Sequence, residues 1–476
     1  ENKIIGDFYY DPDDNSTADD SVMTVVNVDG KRFKRYYEDK IFVKWFGAKG
    51  NNTGNDAPAI QKAINWMIAH PEAPRILYFH KGTYRTTEPI DVMKFENGQY
   101  QFVTIILEGP SPAKEAPSEY LATISVSDRT TYGINFQRSR NCGIRNLMFN
   151  GAFSFPTTIS PFRVDTLKFA EWTDGITRDN RESPYAAVVI DAYCDSTKLY
   201  DATNKYPGQN AKYIGTSRSG TSGFTLENVR IQKFVVGFMV GPNNWIQNQE
   251  MINVVNCEID YCKVSIAFTQ DQTKENHIKG LKVWSATHTV VDGSTYGKRE
   301  GNLPFVYGMN LAGAVHQIFN ITTTNFGGSV YNIYAEALVK IGYVGGSSGA
   351  HFVGCQFNFI NDAANYPSPD YYVHGNGLTF TNCQFRVYNG LNKHRMIFSG
   401  IDANFINCNT NALPISVNLD NSGVGYTSPS YRDLSFYYLG SNAGGGVATT
   451  ARTNATAVNN FQYYNNDIPY PGQTYS

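Results

Sequence analysis

The sequence predicts an all-β protein built as a stacked β-solenoid, and three observations carry that prediction. The 476 residues include 42 Gly, 32 Tyr and 29 Phe, while charged residues make up only 17%. Aromatic and β-branched residues favour strands, and Gly and Asn favour turns. Short alternating stretches then recur with Asn or Gly at one fixed place: "FTLENVRI" (Asn228), "MINVVNCEI" (Asn256), "HIKGLKVW" (Gly280), "HFVGCQF" (Gly354), "LTFTNCQF" (Asn382) and "ANFINCNT" (Asn407). Asn228, Asn256 and Gly280 follow one another at nearly even spacing, and so do Gly354, Asn382 and Asn407. A period in the middle twenties with broken short strands marks a coil that stacks on copies of itself. Asn and Gly suit the left-handed backbone that a tight coil corner needs. Between Gly280 and Gly354 the sequence leaves room for one more coil plus an insertion, and "FNITTTNF" (Phe319–Phe326) supplies the expected rung.

The segments ahead of the ladder read in order. Residues 1–40 form a lead-in with Asp29-Gly30 between alternating strands, a hairpin signal. Its acidic stretch "DPDDNSTADD" (Asp11–Asp20) lacks the spacing of a calcium loop and reads as a solvated tail. "VKWFGAKGNNTGNDAPAIQKAINWMIAH" (Val43–His70) then passes from a strand through a Gly/Asn loop into an amphipathic helix. Asp56 stands at the N-cap, Pro58 lies in the first turn, and Ile60, Ile64, Met67 and Ile68 make the apolar stripe. "RILYFHKGTYRTTEPIDV" (Arg75–Val92) follows as strand, Gly turn and strand.

These two stretches resemble the opening of the pectate-lyase-like superfamily, which phage tailspikes and secreted bacterial glycan-degrading enzymes share. The chain departs from that pattern at Asn51, Asn52 and Asn55, where Asp or Gly is usual, and at His80, where Pro is usual. The resemblance implies a right-handed parallel β-helix with an N-terminal capping α-helix. It further implies an extracellular protein, secreted or virion-associated, with a polysaccharide partner and a homotrimeric assembly as in tailspikes. On this reading the β-helix covers residues 41–411 with insertions at about 151–222 and 293–312. Residues 412–476, rich in Gly, Asn and Tyr, form a cap or an association segment.

Composition excludes other classes. A formal charge of −2 and a pI near 6.5 disfavour nucleic acid as a partner. No run of about 18 apolar residues exists, so no membrane span is expected. The seven Cys are odd in number, lie too far apart for a zinc knuckle, and fall on core positions of the ladder. They read as buried free thiols.

Candidate chemistry lies at strand ends. Asn243 and Asp271 stand at equal offsets from the Asn228 and Asn256 corners, and Asp292 at a slightly shorter offset from Gly280. Glu336 takes a matching place after Thr323 if "FNITTTNF" is a rung. Acids at matching offsets would form a line across coils about 4.8 Å apart, bracketing the roughly 5–10 Å separations of glycosidase carboxylates. Asp271, Asp292 and Glu336 are therefore the candidate acids, with His288 and Tyr334 as flanking acid or base. The insertions supply Trp172, Arg178, Arg181, Lys298 and Arg299 for stacking or pairing with an acidic glycan, and Asn243 joins them as a binding residue. Glu258 and Asp260 alternate outward and read as solvated.

The expected function is cleavage of a polysaccharide within the chain, by a glycoside hydrolase first and a polysaccharide lyase second. The hydrolase needs no cofactor, and a lyase would admit a divalent cation. No calcium-binding aspartate cluster or metal site is apparent in the sequence. A non-catalytic glycan-binding solenoid is the reading from another class.

Overall fold

The computed structural model describes residues 6–96, 99–111, 122–127, 132–154, 185–190, 219–240, 248–268, 272–292, 305–321, 328–344, 349–360, 373–375, 377–388, 396–399, 403–408, 415–418, 436–439, 447–450 and 461–464. Within them the chain winds as a parallel β-helix whose coils each contribute to three stacks of strands. The first stack begins with Lys40–Phe42, Ile76–Tyr78, Ile106–Glu108, Gly143–Arg145, Thr225–Glu227 and Asn253–Val255, each in parallel register with the next. The second begins with Gly82–Thr86, Ala122–Val126, Met148–Asn150 and Arg230–Gln232. The third begins with Ile90–Val92, Ile134–Phe136, Ala186–Ile190 and Val236–Val240. In the central coils, long strands such as His277–Asp292 run through all three stacks.

The predicted Asn/Gly ladder is the corner between the first and second stacks. Asn146, Asn228, Asn256, Gly280, Gly308, Asn332, Gly354, Asn382 and Asn407 all have φ between 50° and 81°, the left-handed region that Gly and Asn enter most readily. Each corner also ties coils together. Asn228 donates its N–H to Val255 O at 3.0 Å, Asn256 to Lys279 O at 2.8 Å, and Asn382 to Ile406 O at 2.9 Å. Asn407 Nδ2 donates to Asn382 Oδ1 at 2.7 Å. The residue after the corner points inward in every coil, giving a buried column of Leu147, Val229, Cys257, Leu281, Met309, Ile333, Cys355, Cys383 and Cys408.

That column explains the Asn-Cys pairs. Cys142, Cys257, Cys262, Cys355, Cys383 and Cys408 are free and buried; Cys194 lies outside the described residues. Burial pushes the Cys142, Cys257 and Cys262 thiols up to about 12. Asn141-Cys142 belongs to a different corner, because Asn141 donates to Ser222 O and its side chain lies against Gly223.

Three expectations about the ladder change. The gap between Gly280 and Gly354 holds two rungs, Gly308 and Asn332, which carry the same period across it without a break. "FNITTTNF" is no rung, since Phe319–Ile321 pairs with 290–292 in the third stack. The stretches read as insertions contain coil strands, Ala186–Ile190 in one and the start of Phe305–Ile321 in the other. The stack also continues past residue 411, because Ile415–Asn418, Phe436–Leu439, Val447–Thr450 and Phe461–Tyr464 pair in parallel with earlier coils or one another.

The N-terminal elements close the first coil. The helix Ala57–Ala69 buries Ala57, Ile60, Ala63, Ile64 and Met67 against the first coils, with Ile68 half-buried beside them. Asp56 does not cap this helix with its side chain. It turns back to the Gly/Asn loop and accepts the N–H groups of Lys49 at 2.7 Å and Gly50 at 3.1 Å. Gln61 clips the helix to the third stack through both its amide atoms and the Asp91 backbone, 2.8 Å each. The expected hairpin is present as Thr24–Val26 against Arg32–Arg35, with Gly30 at φ 78°. The acidic stretch is not a loose tail. Lys34 Nζ lies 2.6 Å from Asp11 and 3.2 Å from Asp14, and Asp20 Oδ1 accepts the N–H groups of Val22, Met23 and Thr24.

The outer side of the third stack is itself apolar from residue 132 to 291. Tyr132, Ala186, Val189, Val236, Met239, Val264, Ala267 and Val291 form a second buried cluster there, separate from the interior. The second stack carries both charged residues and exposed aromatic rings, Trp284 and Tyr334 among them.

Candidate active site

Two residues past each corner, a side chain points outward on the second stack. The register aligns Arg230, Glu258, Lys282, Asn310, Tyr334, Gln356 and Gln384 in one row, and Gln232, Asp260, Trp284 and Ala312 in the next. In a parallel stack, neighbours in a row sit about 4.8 Å apart, so oppositely charged residues in successive coils pair directly. Arg230 lies one coil before Glu258 and Lys282 one coil after. Lys282 Nζ is 3.2 Å from Glu258 Oε1, and Arg230 Nη2 is 3.6 Å from it.

Asp260 is the unusual member. It is 1% exposed, and Arg230 donates to its Oδ2 from Nε at 3.1 Å and Nη2 at 2.9 Å. Its Oδ1 receives no hydrogen bond among the described residues, and the Glu258 carboxylate, two residues back on the same strand, shares Arg230 Nη2 with it. A buried carboxyl oxygen that no donor reaches, beside a second carboxylate, favours the protonated acid. Burial, then the Glu258 charge, pushes Asp260 from 3.8 up to about 7, against the pull of Arg230. A buried carboxyl that keeps its proton to neutral pH can donate it to a reacting oxygen.

Around this pair the surface stays open. Trp284, in the row of Asp260 and one coil on, is 41% exposed, and Tyr334 is 43% exposed. Glu336, also exposed, accepts the N–H of Gly313 at 3.2 Å.

The residues expected from the sequence do not assemble into one line. Asp292 occupies a strand position opposite Phe268 and Ile321 in the third stack. Glu336 follows the Asn332 corner by four residues and belongs to the second stack, with Tyr334 two residues before it. His288 lies in the third stack between Val264 and Gln317 and is buried at 2%. Tyr334 and His288 therefore do not flank a common row. Asp271, Asn243, Trp172, Arg178, Arg181, Lys298 and Arg299 lie outside the described residues, as does the side chain of Asp292. Glu258 and Asp260, read from the sequence as solvated, are instead the partly and fully buried centre of the charged cluster. Among the described residues no group of three or more His, Cys, Asp or Glu is placed to hold a metal ion. No helix among them is long and apolar enough to cross a membrane.

Comparison with known proteins fits the architecture. The family model described as rhamnogalacturonase A/epimerase, pectate lyase-like, matches residues 41–291. Among solved structures, the Acinetobacter baumannii phage AM24 tailspike protein is similar over 93% of this chain and 60% of its own. Its identity is 13% and its TM-score 0.47. Tailspike protein 2 from Escherichia coli O157:H7 bacteriophage CAB120 is similar over 84% of this chain and 46% of its own, at 10% identity and TM-score 0.46. The Azotobacter vinelandii mannuronan C-5 epimerase AlgE4 A-module aligns over 80% of this chain and 98% of its own, at 12% identity and TM-score 0.30. The chain thus spans 60% and 46% of the two tailspikes' lengths. The sequence comparison with curated proteins gives no match.

Proposed function

Because the chain belongs to the rhamnogalacturonase A/epimerase, pectate-lyase-like family, we propose that it is an extracellular enzyme that cleaves a polysaccharide by acid–base chemistry on the second stack. The observation that carries this reading is Asp260: buried, held by Arg230 at one oxygen and without a donor at the other among the described residues, a setting that raises its pKa. In this reading Asp260 protonates the departing glycosidic oxygen. Glu258 is the carboxylate partner, and Arg230 and Lys282 fix its position through their ion pairs.

Hydrolysis and β-elimination both use such an acid, and the two cations beside it favour elimination. Hydrolysis by a carboxyl pair rests on the spacing of the two acids and leaves Arg230 and Lys282, which lie against Glu258, without a part in the reaction. A compact group of one acid, one carboxylate and two cations instead suits a uronate substrate. There Lys282 or Arg230 faces the sugar carboxylate, the carboxylate of the pair takes the C5 proton, and Asp260 protonates the leaving oxygen. Incubation with a panel of acidic and neutral polysaccharides tests both readings. Elimination gives new ultraviolet absorbance from an unsaturated uronate, with new reducing ends. Reducing ends without absorbance select the hydrolase, and neither signal on any glycan that binds overturns the enzymatic reading. The tailspike likeness of the opening motif supports a homotrimer; sedimentation of the intact chain checks this.

A further inference from the structure

Aromatic rings near the surface of the central coils fall into two kinds. On the first stack they lie on one another: His277 stacks on Phe305 at 5.2 Å and 20°, His277 on Tyr307 at 6.4 Å and 11°, and Tyr307 on Tyr331 at 5.4 Å and 5°. Tyr307 is as exposed as the second-stack rings, but one of its faces is taken by Tyr331 at 5.4 Å and 5°. On the second stack Trp284 and Tyr334 are open and have no ring partner among the described residues. The indole of Trp284 lies across the next coil. Its Nε1 and Cε2 stand 3.2 and 3.3 Å from where a Cβ would be at Gly313, so a side chain there would press on the ring. The Gly313 N–H in turn holds Glu336 at 3.2 Å. Tyr334 is three coils beyond Glu258 in the same row, roughly 14 Å along the axis at about 4.8 Å per coil.

We propose that Trp284, Gly313, Glu336 and Tyr334 form a binding track that holds a glycan along the helix axis, on the C-terminal side of the Asp260–Glu258 pair. The track rests on the polysaccharide reading and adds a direction and a set of subsites to it. A pyranose presents an apolar C–H face that lies flat on an open aromatic ring, while its hydroxyls donate to a carboxylate at the ring's edge. Trp284 and Tyr334 supply the ring faces, and Glu336 supplies the acceptor. One coil advances by close to the length of one sugar unit, so a chain laid along the axis meets the acid pair, Trp284, Gly313 and Tyr334 in succession. Flat nucleobases also stack on open rings. Glu336, beside Gly313 at the middle of the track, lies away from the cations that pair with Glu258, and the closely spaced phosphates of a nucleic acid would meet it without a compensating charge.

The test is retardation of the full chain in native gels containing polygalacturonate, alginate, xylan or dextran, a readout that does not require cleavage. Trp284→Ala and Tyr334→Ala are each expected to weaken retardation about three- to tenfold, the range of a single aromatic contact. Trp284→Phe and Tyr334→Phe should retain most of it. Tyr307→Ala, on the self-stacked row, should leave it unchanged. Thermal melting of each variant separates lost binding from lost folding. Equal retardation of wild type, Trp284→Ala and Tyr334→Ala overturns the track, as does failure of any glycan to retard the wild type. Weakened binding by the alanine variants, with no cleavage by the wild type, would keep the track and overturn the enzymatic reading alone.

Discussion

Substitution at Gly280 should separate backbone conformation from side-chain crowding. Gly280 has φ 67° and sits one coil after Asn256, whose Oδ1 lies 2.7 Å from the place of a Cβ. An alanine would cost about 1–2 kcal/mol for entering the left-handed region. The crowding adds less, because the atom it meets is the end of a side chain that can rotate. Asparagine tolerates the same backbone at lower cost, and neighbouring coils already use it at 256 and 332. Valine, branched at Cβ, should be worst. The expected order of stability is Gly and Asn together, then Ala, then Val, with Ala about 1–2 kcal/mol below Gly. Urea unfolding followed by circular dichroism and tryptophan fluorescence measures it, with reversibility checked first. The reasoning fails if Ala proves as stable as Gly, or if Asn is no better than Ala.

Other predictions follow from the same geometry. At Gly342, with φ 108°, a Cβ would come 2.2 Å from the Phe319 carbonyl oxygen; backbone cannot rotate away, so Gly342→Ala should destabilise more than Gly280→Ala in the same urea series. Phe357 is fully buried and stacks on Phe385 at 5.5 Å, so Phe357→Ala should cost about 3–5 kcal/mol, seen as a lower unfolding midpoint. The six buried thiols should resist an aromatic disulfide reagent at neutral pH and react once urea unfolds the chain; fast reaction of Cys257 in the native protein, mapped by mass spectrometry, would contradict its burial. Asp260 carries a pH signature. Its pKa rises from 3.8 to about 7 on folding, so between those values the native state binds more protons than the unfolded chain. Stability therefore falls as pH rises from about 4 to 7. Asp260→Asn should flatten this slope in melts across that range.

The sequence made the coil legible because its corners demand one backbone conformation that few residues adopt. Asn228, Asn256, Gly280, Gly354, Asn382 and Asn407 were visible for that reason, and the Cys following four of them was correctly read as core. Gly308 and Asn332 were missed because "FNITTTNF" also alternates and carries Asn near its end; alternation alone does not say which of three stacks a strand joins. That misplaced rung carried Glu336 into the wrong stack; its place in the second stack lies away from the third-stack position of Asp292. The acid pair was hidden by a sound rule misapplied. Outward residues on an isolated strand meet water, but on a solenoid they also meet the coils above and below, here Arg230 and Lys282 beside Glu258 and Trp284 beyond Asp260. The signal was available in the sequence. Arg230, Glu258 and Lys282 each stand two residues past a corner and so repeat the spacing of Asn228, Asn256 and Gly280 themselves.

The most direct test of the account compares wild type with Asp260→Asn and Asp292→Asn on the polysaccharide that the panel identifies as substrate. Asparagine keeps the size of the side chain at 260 and removes its transferable proton. The account predicts that Asp260→Asn lowers kcat at least about 100-fold, the usual contribution of a positioned general acid, while Asp292→Asn stays close to wild type. Near-normal turnover by Asp260→Asn, with activity lost in Asp292→Asn, would place the chemistry on the third stack and contradict the account.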